Sequence, residues 1–249
     1  MISAVPQRKK DLNDCCINIT GVRAHPDDIE IGMGGTAALH AQKGDKVAFC
    51  SLTRAELSSN GDIKTRQKEA AHAAETLGAQ ARYQLNFPDR NLTKESPEYA
   101  EIVTLIRSLR PDIVFFPWHE DRHPDHIKCG AIIKEALFDA GIRRYTEAGG
   151  DAWRVPYSYQ YSINGMISSA AFYIDISSVQ SLKEESLLCY ESQFILAEES
   201  VHTPLTSMYI ESVRARDLLM GKQASVSYAE AFTPYSPVIL NELPGRKNE

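Results

Sequence analysis

Two short segments of the chain concentrate histidine and aspartate. Residues 24–30 read Ala-His-Pro-Asp-Asp-Ile-Glu, and residues 119–126 read His-Glu-Asp-Arg-His-Pro-Asp-His. Four of the seven histidines fall in these two segments. Imidazole nitrogen and carboxylate oxygen are both ligands that zinc accepts, and a catalytic zinc usually takes three protein ligands plus water. The two segments together therefore predict a metal site.

The first segment offers two ligands and the second segment offers a third. His25 and Asp28 are three residues apart around a turn that Pro26 stiffens, so both side chains can face one point. His126, at the predicted start of a helix, closes the set. Two histidines and one carboxylate also describe the sites of non-haem iron oxygenases, so the spacing leaves zinc and iron both open.

Three other groups of these segments match the remaining needs of metal-assisted hydrolysis. Asp27, a carboxylate beside the metal, can accept the proton of the attacking water. His123, held protonated by Asp125, can stabilise a developing oxyanion or protonate the leaving group. The alternative is that each segment simply fills a turn or caps a helix, as Asp and His often do.

Four strand-then-helix units are predicted to position these segments. The strands are 17–22, 47–53, 83–87 and 112–116, and the helices are 34–43, 65–77, 97–109 and 127–140. This alternation predicts an α/β fold of Rossmann-like type, a mostly parallel sheet with helices on both faces. Ligands of such sheets bind beyond the carboxyl ends of the strands, which is where both segments lie.

The pattern changes after residue 145, where we predict a C-terminal elaboration of the same domain. It contains strands at 157–166 and 171–175, helices at 182–194 and 209–220, and an irregular stretch at 222–249. We find no convincing domain boundary. The chain is therefore predicted to be a tail over residues 1–16 followed by a single domain over residues 17–249.

Four arginines lie in or beside the predicted site loops: Arg54, Arg66, Arg90 and Arg122. Arginine binds carboxylates and phosphates well, so this placement favours an anionic substrate, with ordinary surface charge as the alternative. The glycine-rich stretch 32–35 lacks both the GxGxxG spacing and a phosphate-binding lysine. We therefore expect its glycines to allow close packing of the helix on the sheet rather than nucleotide binding.

Composition narrows the classes of partner. The 249 residues are 43% hydrophobic and 24% charged, with a net charge of −6, which argues against a nucleic-acid or membrane-surface binder. We find neither a bilayer-length apolar run nor a signal peptide. The five cysteines are scattered without a CxxC motif, which indicates reduced thiols and a cytoplasmic protein, and we assign no function to Cys15 and Cys16.

The two segments are recognisable as a pair. Ala-His-Pro-Asp-Asp at residues 24–28, followed by Gly-Met-Gly-Gly-Thr at 32–36, resembles the signature of the LmbE/PIG-L family of zinc-dependent de-N-acetylases. His-Pro-Asp-His at residues 123–126 resembles the second motif of that family. The resemblance implies one Zn²⁺ per chain. It matches His25, Asp28 and His126 to the zinc ligands.

The resemblance also assigns the other roles. It matches Asp27 to the general base, and His123 to the residue that steadies the oxyanion or protonates the amine, with Asp125 orienting it. Arg66 matches a substrate-binding arginine, and Arg122 is placed to reach the far end of the substrate. The family further suggests a homo-oligomer, with a hexamer as one form.

Several stretches resemble the bacillithiol-biosynthesis branch of the family, which removes acetate from N-acetylglucosaminyl malate. They include residues 54–61, with Arg54 as a third substrate-binding candidate, residues 120–122, 140–145 and 192–194. The chain departs from the family at Arg23, where a small residue is usual. Asp121 stands where mycothiol-pathway relatives carry tyrosine, which argues against the mycothiol substrate.

Three functions therefore compete. The first is a zinc amidohydrolase that deacetylates a small, anionic N-acetylglucosamine conjugate, probed by acetate release without oxygen uptake. The second is a metal-dependent oxygenase, which gains nothing from Asp27 beside the metal. The third is a non-catalytic sugar-binding protein, which predicts loss of the base or ligands although every matched position is filled.

Overall fold

A computed structural model describes residues 17–198 and 200–240 of the chain. The predicted tail, including Cys15 and Cys16, lies outside the described residues. The strands are β1 Asn18–Arg23, β2 Lys46–Ser51, β3 Ala81–Gln84, β4 Ile113–Pro117, β5 Tyr157–Tyr161, β6 Phe172–Asp175 and β7 Ala229–Pro234. The helices are α1 Asp28–Gln42, α2 Ile63–Thr76, α3 Tyr99–Leu109, α4 Pro124–Ala140, α5 Gln180–Leu188, α6 Glu191–Phe194 and α7 Tyr209–Gln223.

One seven-stranded sheet joins all the described strands, in the order β3-β2-β1-β4-β5-β7-β6. β1 to β5 pair in parallel, and β7 is antiparallel to both β5 and β6. The chain leaves β1 toward one edge of the sheet and returns to β4 on its other side. This reversal opens a crevice at the carboxyl ends of β1 and β4, which is where ligands bind in such folds.

Apolar side chains alternate between the two faces of the sheet, as both faces are covered by helices. Phe115 of β4 packs with Ile29 of α1 on one face. Its neighbour Phe116 packs with Ile102 of α3 and Ile133 of α4 on the opposite face. The predicted α/β class, a mostly parallel sheet between two helical layers, is confirmed.

Helix α1 differs from its prediction because it begins at Asp28 instead of residue 34. A kink at Met33, with φ −148°, lies next to the predicted start and separates two helical stretches within α1. The glycines around the kink permit close packing: a Cβ on Gly32 would lie 2.2 Å from the ring of Tyr161, and one on Gly35 would lie 2.8 Å from Ile176. Their expected packing role is confirmed.

The C-terminal part also differs from its prediction. Residues 222–249 were expected to be irregular, but residues 229–234 form β7, which is inserted between β5 and β6. The predicted helix 182–194 is two helices, since the non-helical ψ of 61° at Tyr190 separates α5 from α6. The predicted strand 157–166 ends at Tyr161.

Candidate active site

The two motif segments meet because they follow β1 and β4, which are neighbours in the sheet. The ring centroids of His25 and His123 lie 4.9 Å apart, and those of His123 and His126 lie 4.7 Å apart. Asp28 lies between the predicted imidazole ligands: its Oδ1 is 3.1 Å from His126 Nε2, and its Oδ2 is 3.8 Å from His25 Nδ1. Asp28 therefore lies close to both predicted imidazole ligands.

A tight turn between β1 and α1 sets the direction of the two aspartates. Asp27 has φ 103° and ψ −28°, a left-handed conformation that is costly for any residue but glycine. The backbone N–H of His25 donates to Asp28 Oδ2 at 2.8 Å, which closes the turn. The strain is stored at the residue predicted to be the base, and it turns Asp27 and Asp28 to different neighbours.

Asp27 is buried, and its carboxylate accepts a hydrogen bond from Arg66 of α2. Arg66 Nη2 donates to Asp27 Oδ2 at 3.1 Å and to the carbonyl of Pro26 at 2.6 Å. Burial raises the pKa of Asp27, Arg66 lowers it and Asp28 raises it again, which leaves the pKa at about 6. A carboxyl group that titrates near neutral pH is well suited to accept and release a proton.

Asp28 has the opposite electrostatic environment. Burial opposes its charge, but His126 and His25 more than offset this and lower the pKa of Asp28 far below its ordinary value. The carboxylate therefore stays ionised, as a metal ligand must.

His123 caps the start of α4 and is half-buried. Its Nδ1 accepts the backbone N–H of Asp125 at 3.3 Å. The Asp125 carboxylate turns elsewhere: it accepts from Arg90 N at 2.8 Å and lies 3.6 Å from His25 Nε2. The structure thus differs from the expectation that the Asp125 carboxylate orients His123. Burial, together with the neighbouring His25 and His126, lowers the pKa of His123.

The donor set fits a divalent metal ion. Carboxylates outweigh the effect of burial and raise the pKa of His25 to about 10 and that of His126 to about 9, so the centre favours positive charge. Two imidazoles and a carboxylate are also the donors that zinc takes. His123 is a further candidate, because ligand nitrogens of His25, His123 and His126 lie within 4.8 Å of one another.

The four arginines are placed differently. Arg66 is buried and binds Asp27, so it holds the predicted base. Arg90 and Arg122 are exposed and line the cavity over the site, and Arg122 Nη2 donates to Asn164 Oδ1 at 3.2 Å. Arg54 is exposed and is not among the described residues that line this cavity.

The cavity over the site has a volume of about 520 Å³, within the range of small-molecule sites. Several of its residues were not predicted as site residues. Asp89 lies in the loop after β3, where the parallel-sheet rule predicts site residues. Gln193, Asn164 and Tyr209 come from the C-terminal part; Gln193 lies in the stretch 192–194 noted above, while Asn164 and Tyr209 carry no motif. Their position on the cavity wall depends on tertiary packing alone.

Comparison with known proteins identifies the family of this chain. A profile of the PIG-L family, described as GlcNAc-PI de-N-acetylase, matches residues 21–137. Diacetylchitobiose deacetylase of Thermococcus kodakarensis is 30% identical over 233 residues, covering 90% of this chain and 85% of that protein. The chain belongs to the PIG-L/LmbE family of deacetylases.

Two further comparisons give the extent of the similarity. A probable N-acetyl-α-D-glucosaminyl L-malate deacetylase 2 of Bacillus subtilis is 30% identical over 46% of this chain and 58% of that protein. The crystal structure of a conserved protein from Thermus thermophilus superposes with a TM-score of 0.83 and 32% identity, covering 93% of this chain and 99% of that one.

Within the described residues, the helices are too short or too polar to cross a membrane.

Proposed function

We propose that this PIG-L/LmbE protein hydrolyses the N-acetyl group of a small N-acetylglucosamine conjugate, releasing acetate and the free amine. The observation that carries the proposal is the convergence of His25, Asp28 and His126 beside Asp27, a buried carboxylate whose pKa is about 6. The activities named for the Thermococcus and Bacillus relatives support the same class of reaction.

His25, Asp28 and His126 would hold one Zn²⁺, which when bound polarises the amide carbonyl and lowers the pKa of the attacking water. Asp27 takes a proton from that water as its oxygen bonds to the acetyl carbon. Arg66 holds Asp27 in the required orientation. The same proton is then transferred to the amide nitrogen as the C–N bond breaks, and the glucosamine leaves as the amine. His123, beside the ligands, stabilises the developing oxyanion.

The proposed physiological substrate is N-acetylglucosaminyl malate, as in bacillithiol biosynthesis. Arg90 and Arg122 at the cavity wall are exposed cations on a chain whose net charge is −6. A neutral sugar would gain little from them, whereas the two carboxylates of malate would be bound by charge-assisted hydrogen bonds. The name of the Bacillus subtilis relative supports this choice of substrate.

The competing oxygenase function is disfavoured by Asp27. In an oxygenase the metal activates dioxygen, and a proton-accepting carboxylate held against the ligands by Arg66 has no role in that chemistry. A non-catalytic sugar-binding protein would likewise have no use for the strained turn at Asp27.

The experiment is a product assay on the zinc-loaded protein. N-acetylglucosaminyl malate, N-acetylglucosamine and diacetylchitobiose are supplied separately, and acetate, free amine and dissolved oxygen are measured together. The proposal expects acetate and amine in equal amounts and no oxygen uptake. Oxygen uptake would favour the oxygenase, and binding without acetate release would favour the sugar-binding protein.

A further inference from the structure

His126 lies between two carboxylates that approach its two ring nitrogens. Asp28 Oδ1 is 3.1 Å from Nε2, and Asp121 Oδ1 is 3.1 Å from Nδ1. His126 is 4% exposed, so both contacts are made away from water. A neutral imidazole carries one N–H, and the nitrogen that binds a metal must be the other one. Asp121 is therefore the acceptor that can select which nitrogen stays free.

Asp121 is itself held in place by backbone and side-chain donors. Its Oδ1 accepts the backbone N–H of His123 at 2.7 Å and the side-chain amide of Asn164 at 2.9 Å. Its Oδ2 accepts the backbone N–H of Asn164 at 3.1 Å. The carboxylate is thus fixed from two elements, the loop after β4 and the loop after β5. A group held this firmly can hold the imidazole that it contacts.

We propose that Asp121 is a positioning residue that holds the His126 ring with Nδ1–H directed at Asp121, which keeps Nε2, on the side of Asp28, for a metal ion. The proposal rests on the proposed function, since it takes His126 as a metal ligand. Aspartate partners of this kind fix the ring and raise the basicity of a metal-binding histidine. Asp121 does not touch the substrate or the reacting atoms in this scheme.

Asn164 extends the same network to the cavity wall. Its Oδ1 accepts the Tyr209 hydroxyl at 2.8 Å and Arg122 Nη2 at 3.2 Å. Tyr209 and Arg122 both line the cavity. The Asn164 side-chain amide also lies 3.4 Å from His126 Nδ1. Asn164 therefore joins the support of the proposed metal ligand to two residues of the cavity wall, and Asn164→Ala removes its side-chain contacts with Asp121 and His126 while its backbone N–H still donates to Asp121.

The test measures zinc affinity, by competition with a chromophoric chelator on the full chain. Asp121→Asn keeps the shape of the side chain but weakens the acceptor, and zinc affinity should fall about 10- to 100-fold. Asp121→Glu, which restores a carboxylate, should recover part of the loss. Asn164→Ala should also lower the zinc affinity, but by less than Asp121→Asn does.

Glu120→Gln is the matched control. It makes the same carboxylate-to-amide change one residue away, on a side chain that is 73% exposed, and should leave zinc affinity unchanged. Thermal unfolding of the metal-free variants reports whether each is folded. If Asp121→Asn does not fold, Asn164→Ala decides the question, since it leaves Asp121 in place.

The outcomes separate this inference from the proposed function. His126→Ala should lose zinc. Suppose that His126→Ala loses zinc while Asp121→Asn binds zinc as tightly as Glu120→Gln. The positioning role is then overturned and the proposed function stands. If Asp121→Asn does not fold, the same comparison is made with Asn164→Ala. If His126→Ala retains wild-type zinc affinity, the ligand set is wrong and both fail.

Discussion

Asp27 and Asp28 are neighbours of the same residue type, yet their surroundings separate them chemically. Burial raises the pKa of Asp27 to about 6, while His126 and His25 lower the pKa of Asp28 and keep it ionised. Arg66 contacts Asp27 and the imidazole of His126 contacts Asp28. A proton acceptor needs a pKa near neutral pH, as Asp27 has, and a metal ligand must stay ionised, as Asp28 does. The strained turn thus supplies both kinds of carboxylate from adjacent positions.

Asp27→Asn is therefore expected to retain zinc and lose activity. An amide cannot accept the proton of the attacking water, and loss of a general base typically costs about 10²- to 10⁴-fold in kcat. Zinc content and kcat are measured on the same preparation, with Asp28→Ala as the variant expected to lose the metal as well. If Asp27→Asn emptied the site while Asp28→Asn did not, the two roles would be reversed.

The pH dependence of kcat/KM should be bell-shaped. Asp27 acts only when ionised, so kcat/KM should fall as the pH drops through about 6, the raised pKa of that carboxyl. His123 acts when protonated, and its pKa is lowered from the ordinary imidazole value of 6.5. As the pH rises, kcat/KM should therefore begin to fall at a pH below 6.5. The two limbs should lie close together.

Profiles of two variants test that assignment. Asp27→Asn should abolish the acidic limb in its residual activity, and His123→Ala should abolish the basic limb. A basic limb that survives unchanged in His123→Ala would assign that limb, and the stabilisation of the oxyanion, to another group.

At the scale of elements, α1 is tied to the sheet directly beneath the site. Arg23, the last residue of β1, makes a buried ion pair with Glu30 of α1 and donates to Ser51 Oγ at 2.8 Å. The Tyr190 hydroxyl donates to the other oxygen of Glu30 at 3.0 Å. Arg23 was singled out as unusual for the family, and this network accounts for it: the guanidinium neutralises Glu30 in the interior.

Arg23→Met should therefore destabilise the fold strongly. It leaves Glu30 buried without its cation, a loss that typically costs about 3–5 kcal/mol in the free energy of unfolding. Urea unfolding measures the change. The double variant Arg23→Met, Glu30→Gln removes the uncompensated charge and should recover a large part of the stability. A double variant as unstable as the single one would show that Arg23 acts through packing instead.

The elements around β4 were predictable because local signals agree there. Pro111 and Gly141 sit near the ends of α3 and α4, and the motif segments follow apolar strands. β7 could not be predicted, because residues 229–234 form a strand only by pairing with β5 and β6. The hold of Arg66 on Asp27 could not be predicted either, since α2 reaches the turn only in the folded chain.

At the scale of the whole molecule, the cavity combines two parts of the chain. The family profile ends at residue 137, and the metal end of the cavity lies within it. The opposite wall comes from beyond that point and includes Ile163, Asn164, Gln193, Leu205 and Tyr209. The candidate metal site therefore lies in the part that matches the family profile, and the opposite wall of the cavity lies outside it.

The C-terminal wall is tied to α1 through buried charges. Lys183 of α5 contacts Asp217 of α7 at 2.6 Å and Glu230 of β7 at 2.7 Å. Glu230 in turn accepts the backbone N–H groups of Gly35 and Thr36, just after the kink of α1. These buried charges thus connect α5, α7 and β7 to the helix that begins with Asp28.

The charge distribution gives a further test, because two exposed arginines line the cavity of a chain whose net charge is negative. A net charge of −6 repels an anionic substrate at long range, whereas Arg122 and Arg90 at the cavity wall attract it locally. Wild-type protein should therefore prefer N-acetylglucosaminyl malate to N-acetylglucosamine in kcat/KM. Arg122→Ala should reduce kcat/KM for the malate conjugate about tenfold or more, the loss of one charge-assisted contact.

The same variant should scarcely affect neutral N-acetylglucosamine, because the metal ligands and Asp27 are untouched. Arg54→Ala is the matched control, since Arg54 is also exposed but lies outside the residues that line the cavity. Equal losses on both substrates would assign Arg122 to the chemistry or the fold. A wild type indifferent to malate would remove the bacillithiol substrate and leave a general deacetylase.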